Sequence, residues 1–245
     1  MPDDDLLRPP VRTTWFEGRL LAAVDLEREA GYVRTSLRRL RALALGWGVV
    51  AGLDVVVDAA GAGLVVTPGM AIDPWGREVV VGPGAGRVPT PTGLRPGEAV
   101  EVVVRVEERP AHPVPVLGQG ATHGGDEGDV VLEPSVVEEV AVLEARSVPP
   151  SAPPAPLHPL VQALVDGRLD RAELTRWVTS GRPGTRPADP AVPLARLVAG
   201  SGAGDAGDGA RFDVASIDST VRPVLLGAGD LTTLLLAVAG PPGAA

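Results

Sequence analysis

The spacing of apolar residues along the chain first reads as helical. Phe16, Leu20 and Val24 form one row; Leu26, Ala30, Val33, Leu37, Leu40 and Ala44 form a second, at three- and four-residue steps. The rows are offset near Asp25, which predicts one helix over residues 15–45 with a bend there, weakened in the middle by Gly31. Thr14 followed by Glu17 has the spacing of a capping box at its start. Gly46 stops it. Beyond Gly46 the period shortens to that of strands, at 49–59, 62–68 and 77–81. Gly61 to Gly63 supplies a hairpin turn, and Pro68-Gly69 a kink or second turn. Asp73-Pro74-Trp75-Gly76 places Asp, Pro and Gly as a type I turn requires. Further strands are expected at 99–108, 130–132, 136–146, 192–199 and within 213–226, and helix at 157–180 and again from Leu231, capped by Asp230.

These elements predict an α+β fold: a long N-terminal helix packed on an antiparallel β meander or barrel, then a mixed C-terminal region of short helices and strands. The expected division is an N-terminal arm (1–14), a helix plus β domain (15–147), a Pro-rich linker (148–156) and a C-terminal region (157–245) that can return to the same sheet. Residues 109–128 read as a polar Pro/Gly loop and 200–209 as a low-complexity Gly/Ala/Asp loop.

Composition adjusts this picture. Gly (31) and Pro (26) make up nearly a quarter of the 245 residues, while aromatics are 3%. Val, Leu and Ala must therefore form the core. Cysteine is absent, which excludes a disulfide scaffold or a thiolate zinc site. Every one of the 22 basic residues is Arg, and Asn is absent too, the mark of a GC-rich coding sequence that also enriches Gly and Pro. The net charge of −9 disfavours nucleic acid as a partner. No apolar run is long enough to span a bilayer, so a cytoplasmic protein with no direct membrane insertion is expected. Arg28, Arg34, Arg38, Arg39 and Arg41 cluster on one side of the first helix, either as a solvated face or as a strip for an acidic partner.

Candidate chemistry is sparse. His112, His123 and His158 match no zinc spacing, and His123 with Asp126, Glu127 and Asp129 lacks the ligand alternation of a calcium loop. Gly202, Gly204 and Gly207 have dinucleotide-fingerprint spacing, but no helix pattern follows to face a pyrophosphate. Without Lys there is no Schiff-base or P-loop chemistry. The acid pairs Asp54/Asp58 and Glu138/Glu139 are the material for a hydrolase, or charges that protect strand edges. No catalytic, cofactor-binding or metal residues are assigned, and no cofactor is expected.

Residues 15–81 carry a denser pattern. Phe16, Gly18, Leu20 and Leu21 are followed by Asp25, Leu26, Glu29 and Tyr32, then by Gly46-Trp47-Gly48-Val49-Val50 and Gly52-Leu53. Pro68-Gly69, Ala71-Ile72-Asp73, Gly76 and Glu78 complete it. The pattern resembles a family of phage-tail-like proteins found with contractile injection systems. Residues 192–198 and 217–226 resemble that family's closing strands. The resemblance implies a non-enzymatic structural subunit of a phage tail-like particle, placed in baseplate, fibre, cage or cap. Its partners would be other particle subunits and copies of itself, a trimer being favoured. Phe16, Gly18, Leu20, Asp25, Tyr32, Gly46, Trp47, Gly48, Gly52, Pro68, Gly69, Asp73, Trp75 and Gly76 are then fold-specifying or assembly candidates. A carbohydrate- or receptor-binding module at a fibre is the alternative, and a hydrolase using paired carboxylates the second.

Overall fold

The helical period begins later than the apolar rows do. In the computed structural model, which describes residues 8–58, 63–89, 94–116, 131–148, 172, 187–200, 212, 216–227 and 230–231, α1 spans Ala23–Leu40 and continues as one π-helical turn, Arg41–Leu45. Residues 15–22 are not helical, and Gly18 turns the chain with φ +83°. The Thr14/Glu17 capping box does not form, because a different cap wins. Asp25 accepts from the Ala22 N–H at 3.3 Å, and the Thr13 hydroxyl donates to the Asp25 carbonyl at 3.1 Å. The Asp25 carboxylate also holds Arg19 and Arg28. An acid inside the first turn suits the helix dipole and satisfies a free N–H. Gly46 ends the helix at φ +93°, with its N–H on the Arg41 carbonyl at 2.9 Å.

The meander has two three-stranded antiparallel halves that meet at a corner. β1 (Gly48–Gly52), β4 (Gly69–Ile72) and β5 (Glu78–Val81) form one half, in the order β1-β4-β5. β2 (Val55–Val57), β3 (Leu64–Val66) and β6 (Arg87–Val88) form the other, in the order β2-β3-β6. β1 runs on into β2 and β3 into β4, while a turn closed by the Ala85 N–H on the Gly82 carbonyl separates β5 from β6. Gly52 pairs with Gly69 at the corner. A Cβ on Gly52 would collide with the Pro68 carbonyl oxygen, and one on Gly69 would meet the Leu53 nitrogen at 2.5 Å. Pro68-Gly69 is therefore the kink of the sequence reading, not a turn. Leu53, fully buried, takes the left-handed conformation at φ 60°.

A second sheet, in the order β8-β7-β9, consists of β7 (Ala99–Val116), β8 (Val131–Val148) and β9 (Val192–Val198). The core lies between it and the folded meander. Leu53, Leu64, Val66, Val79 and Val81 meet Val100, Val102, Val104, Leu194 and Leu197, with Phe212 beside them. Among the described residues the two sheets do not close into a barrel. Residues 216–225 tie them together. Asp218 bridges to Arg196 on β9, and Val224 bridges in parallel to Val49 on β1. Gly48 allows this approach, since a Cβ there would lie 2.7 Å from the Pro223 oxygen.

The loop expected at 109–128 is corrected over residues 109–116, and 117–128 lie outside the described residues. β7 continues through it to Val116, in unbroken register with β8, from Ala99 opposite Val148 to Val116 opposite Val131. Cross-strand pairing prevails over the turn signals of Pro110, Pro113 and Pro115. β9 covers only the first part of β7, so the outer part is a two-stranded ribbon with exposed side chains. The helix expected at 157–180, the Gly202–Gly207 loop and the His123 cluster lie outside the described residues, apart from Ala172.

Two glycines give opposite expectations. Gly76 sits at φ +77°, under the Arg38 carbonyl oxygen, where a Cβ would overlap it. Gly31 is inside α1 with no atom within 4 Å of an added Cβ. Gly76→Ala should destabilise by at least about 2 kcal/mol. Gly31→Ala should stabilise by about 0.5–1 kcal/mol. Urea unfolding midpoints of the two variants check the signs.

Candidate assembly surface

The predicted site residues fall into four local groups. Phe16, Gly18, Leu20, Asp25 and Tyr32 surround the start of α1. Phe16 is exposed, and Leu20 is 90% exposed. The Arg19 guanidinium lies over both Trp15 and Phe16, at 5.6 and 5.8 Å from the ring centres. Asp25 is the buried cap, and Tyr32 is half-buried. Gly46, Trp47 and Gly48 carry the chain from helix to sheet, with Trp47 half-buried. Gly52, Pro68 and Gly69 form the corner.

Asp73, Trp75 and Gly76 form the β4–β5 turn, closed by the Gly76 N–H on the Asp73 carbonyl at 2.9 Å. The fully buried Asp73 carboxylate accepts from the Trp75 N–H (2.9 Å), the Arg77 N–H (2.8 Å) and Arg77 Nε (2.6 Å). The Arg77 guanidinium stacks on Trp75 at 4.8 Å. This turn lies directly beneath α1, because Gly76 touches the Arg38 carbonyl.

That contact fixes how the helix docks, and it reverses the expected orientation. The polar side of α1 faces the β body. Arg41 pairs with Glu78 on β5. Arg38 reaches Glu108 at 3.0 Å and Glu139 at 3.6 Å. Glu108 and Glu139 are direct cross-strand neighbours in the ribbon. Two carboxylates in that position repel, and the Arg38 guanidinium between them relieves it. The acidic partner of Arg38 and Arg41 is thus the chain's own sheet. Arg28 is taken by Asp25, and Arg39 donates to the Arg8 carbonyl at 2.6 Å. The apolar row of α1 is left on the outside: Leu26, Val33, Leu37 and Leu40 are all exposed, as is Ala30.

Three arginines made no mark in the sequence as site residues. Arg222 donates to the carbonyls of Leu53 (3.0 Å), Leu194 (3.2 Å) and Gly52 (3.4 Å), and to Asp54 at 3.1 Å. It serves the carbonyls freed where the first strand turns its corner. Arg105 and Arg146 anchor a ladder of alternating charge at the ribbon root. Arg105 binds Glu107 (2.5 Å) and Glu144 (3.2 Å); Arg146 binds Glu144 (2.7 Å) and Asp189. Hydrogen bonds from Arg109 and Arg105 hold the Glu107 carboxyl below its usual range, and Arg146 does the same for Glu144. Burial pushes Asp189 up, but the Ala191 N–H and Arg146 outweigh it and its net shift is downward.

The carboxylates considered for hydrolysis are not gathered into one site. Asp54 serves Arg222 at the corner, Glu139 serves Arg38, and Glu138 faces His112 at 3.4 Å on the ribbon. Among the described residues no cluster of three or more His, Asp or Glu side chains is arranged to hold a metal. No helix among them is long and apolar enough to cross a membrane.

Two measurements follow. Carboxylates held below their usual range stabilise the fold at neutral pH and lose that contribution as pH falls through their folded pKa values. The urea midpoint should fall below about pH 4, and Arg146→Met should flatten that fall by releasing Glu144 and Asp189. Arg38→Met should speed hydrogen exchange in α1 several-fold and leave β7 and β9 amides unchanged.

The chain matches no protein-family model, and no curated protein matches it. Among solved structures it is similar to TssK in a crystal structure, at 13% identity and TM-score 0.41 over 84% of this chain. A chain of the baseplate complex from the type VI secretion system is similar at 14% identity and TM-score 0.39, again over 84% of this chain. This chain spans 41% of the length of each. Likeness of this degree is coarse and carries no functional conclusion.

Proposed function

We propose that this protein is a non-enzymatic structural subunit of a phage tail-like contractile injection particle, assembled in the cytoplasm and acting through protein–protein contacts. The observation that carries the reading is the inverted docking of α1. Arg38 and Arg41 are spent on the chain's own acidic strands, and the leucines face outward. An exposed apolar helix face is an interaction surface. The 15–81 pattern resembling the phage-tail-like family supports the same reading, because its Gly46, Gly52, Gly69, Asp73 and Gly76 build this docking and this corner. The division into an arm to residue 14, a helix plus β unit over 15–147, a linker at 148–156 and a C-terminal region belongs to the same reading.

The test is sedimentation of particles from cells in which the chain is tagged at its own locus. The tagged chain should travel with sheath and tube proteins in a constant ratio. A chain that stays at the top of the gradient while sheath sediments overturns the reading.

A further inference from the structure

The exposed row of α1 has a period tighter than that of an ordinary amphipathic helix. Leu26, Ala30, Val33, Leu37 and Leu40 follow each other at steps of four, three, four and three. That is the a/d alternation of a heptad repeat, with Ala30 and Leu37 at a and Leu26, Val33 and Leu40 at d. All five lie outside, at 43% exposure or more for the four large residues. The c positions Asp25, Tyr32 and Arg39, with Thr35 at f and Arg38 at b, are buried or half-buried instead. A globular surface helix turns its apolar stripe inward. Here the stripe is the narrow seam of a coiled coil, and it points away from the domain.

The flanking charges say what fits the seam. Glu27 and Arg34 occupy e; Glu29 and Ser36 occupy g. In a parallel pairing the g residue of one helix meets the e residue five positions on in its partner, so Glu29 meets Arg34 of a second copy. Arg34 is exposed, and among the described residues Glu29 accepts the Thr13 N–H, at 3.2 Å. In the antiparallel register that sets Leu37 against Leu26 and Ala30 against Val33, Glu27 meets Arg34 of a second copy. Either orientation thus matches the helix with itself. We infer that α1 is a self-association helix, and that the occupant of the seam is a second copy of this chain. The inference deepens the assembly reading by naming one partner of that surface, and it concerns the purified chain alone.

The absence of cysteine makes the test direct. In a parallel pairing residue 37 faces its own mate at a distance a disulfide can bridge, and in that antiparallel register it faces residue 26 of the second copy. Under mild oxidation Leu37→Cys chains, alone or mixed with Leu26→Cys chains, should give a reducible covalent dimer, and Thr35→Cys, on the f side, should not. By light scattering the unmodified chain should exceed its 25.1 kDa protomer mass. Leu37→Asp should return it to that mass with an unchanged circular dichroism spectrum, since Leu37 is exposed in the protomer. A reducible dimer from neither preparation overturns the inference. So does a monomeric unmodified chain, whose seam is then covered by residues 157–180 or by another protein. A Leu37→Asp chain that unfolds also overturns it, by placing Leu37 under cover in its own protomer. None of these outcomes bears on co-sedimentation with sheath, so the two proposals fail separately.

Discussion

Everything this protein presents outward follows from which side of α1 is fastened down. The fastening is a backbone contact, Gly76 against the Arg38 carbonyl, reinforced by Arg38 and Arg41 on acidic strands. Ion pairs this exposed contribute little to stability one by one. Their effect here is geometric. A residue with a side chain at position 76 would lift the helix, and Glu108 facing Glu139 would lose the cation between them. Once the polar side is committed inward, the leucines have nowhere to go but out.

The β body beneath solves a different problem. Two short strands turn a corner together, β1 into β2 and β3 into β4, which interrupts their hydrogen-bond ladders and leaves carbonyls to satisfy. Gly52 and Gly69 let the backbones cross in contact. Arg222, more than a hundred and fifty residues later in the chain, supplies donors to three carbonyls and to Asp54. The C-terminal segment is thus part of the corner. The bridges of Val224 to Val49 and Asp218 to Arg196 bring it there.

Local chemistry was legible in the sequence. The Asp73–Gly76 turn, the kink at Pro68-Gly69, the stop at Gly46 and the strand at 192–198 follow from short-range rules about φ, missing donors and alternation. Long-range partners were not. Nothing near Arg38 in sequence points to Glu108 or Glu139, and nothing near Arg222 points to Leu53. The helix start was misplaced because Thr14 and Glu17 satisfy a spacing rule that Thr13 and Asp25 satisfy better in three dimensions. The ribbon was hidden because Pro110, Pro113 and Pro115 read as a loop until a partner strand in matching register is in place.

That ribbon also has mechanical meaning. Its outer part runs twelve residues beyond the segment that β9 covers, from Arg105 to Val116, or roughly 40 Å at the usual strand rise. Both strands return to the same root. A pull on the tip therefore loads them equally and side by side, and the hydrogen bonds between them carry almost no shear. The tension passes along covalent backbone to Val102, Val103 and Val104, where a third strand and the core take it up. A sideways push acts instead on the charge ladder at the root and on the Arg38 clasp, so the ribbon is stiff in tension and yields in bending at the point where α1 is attached.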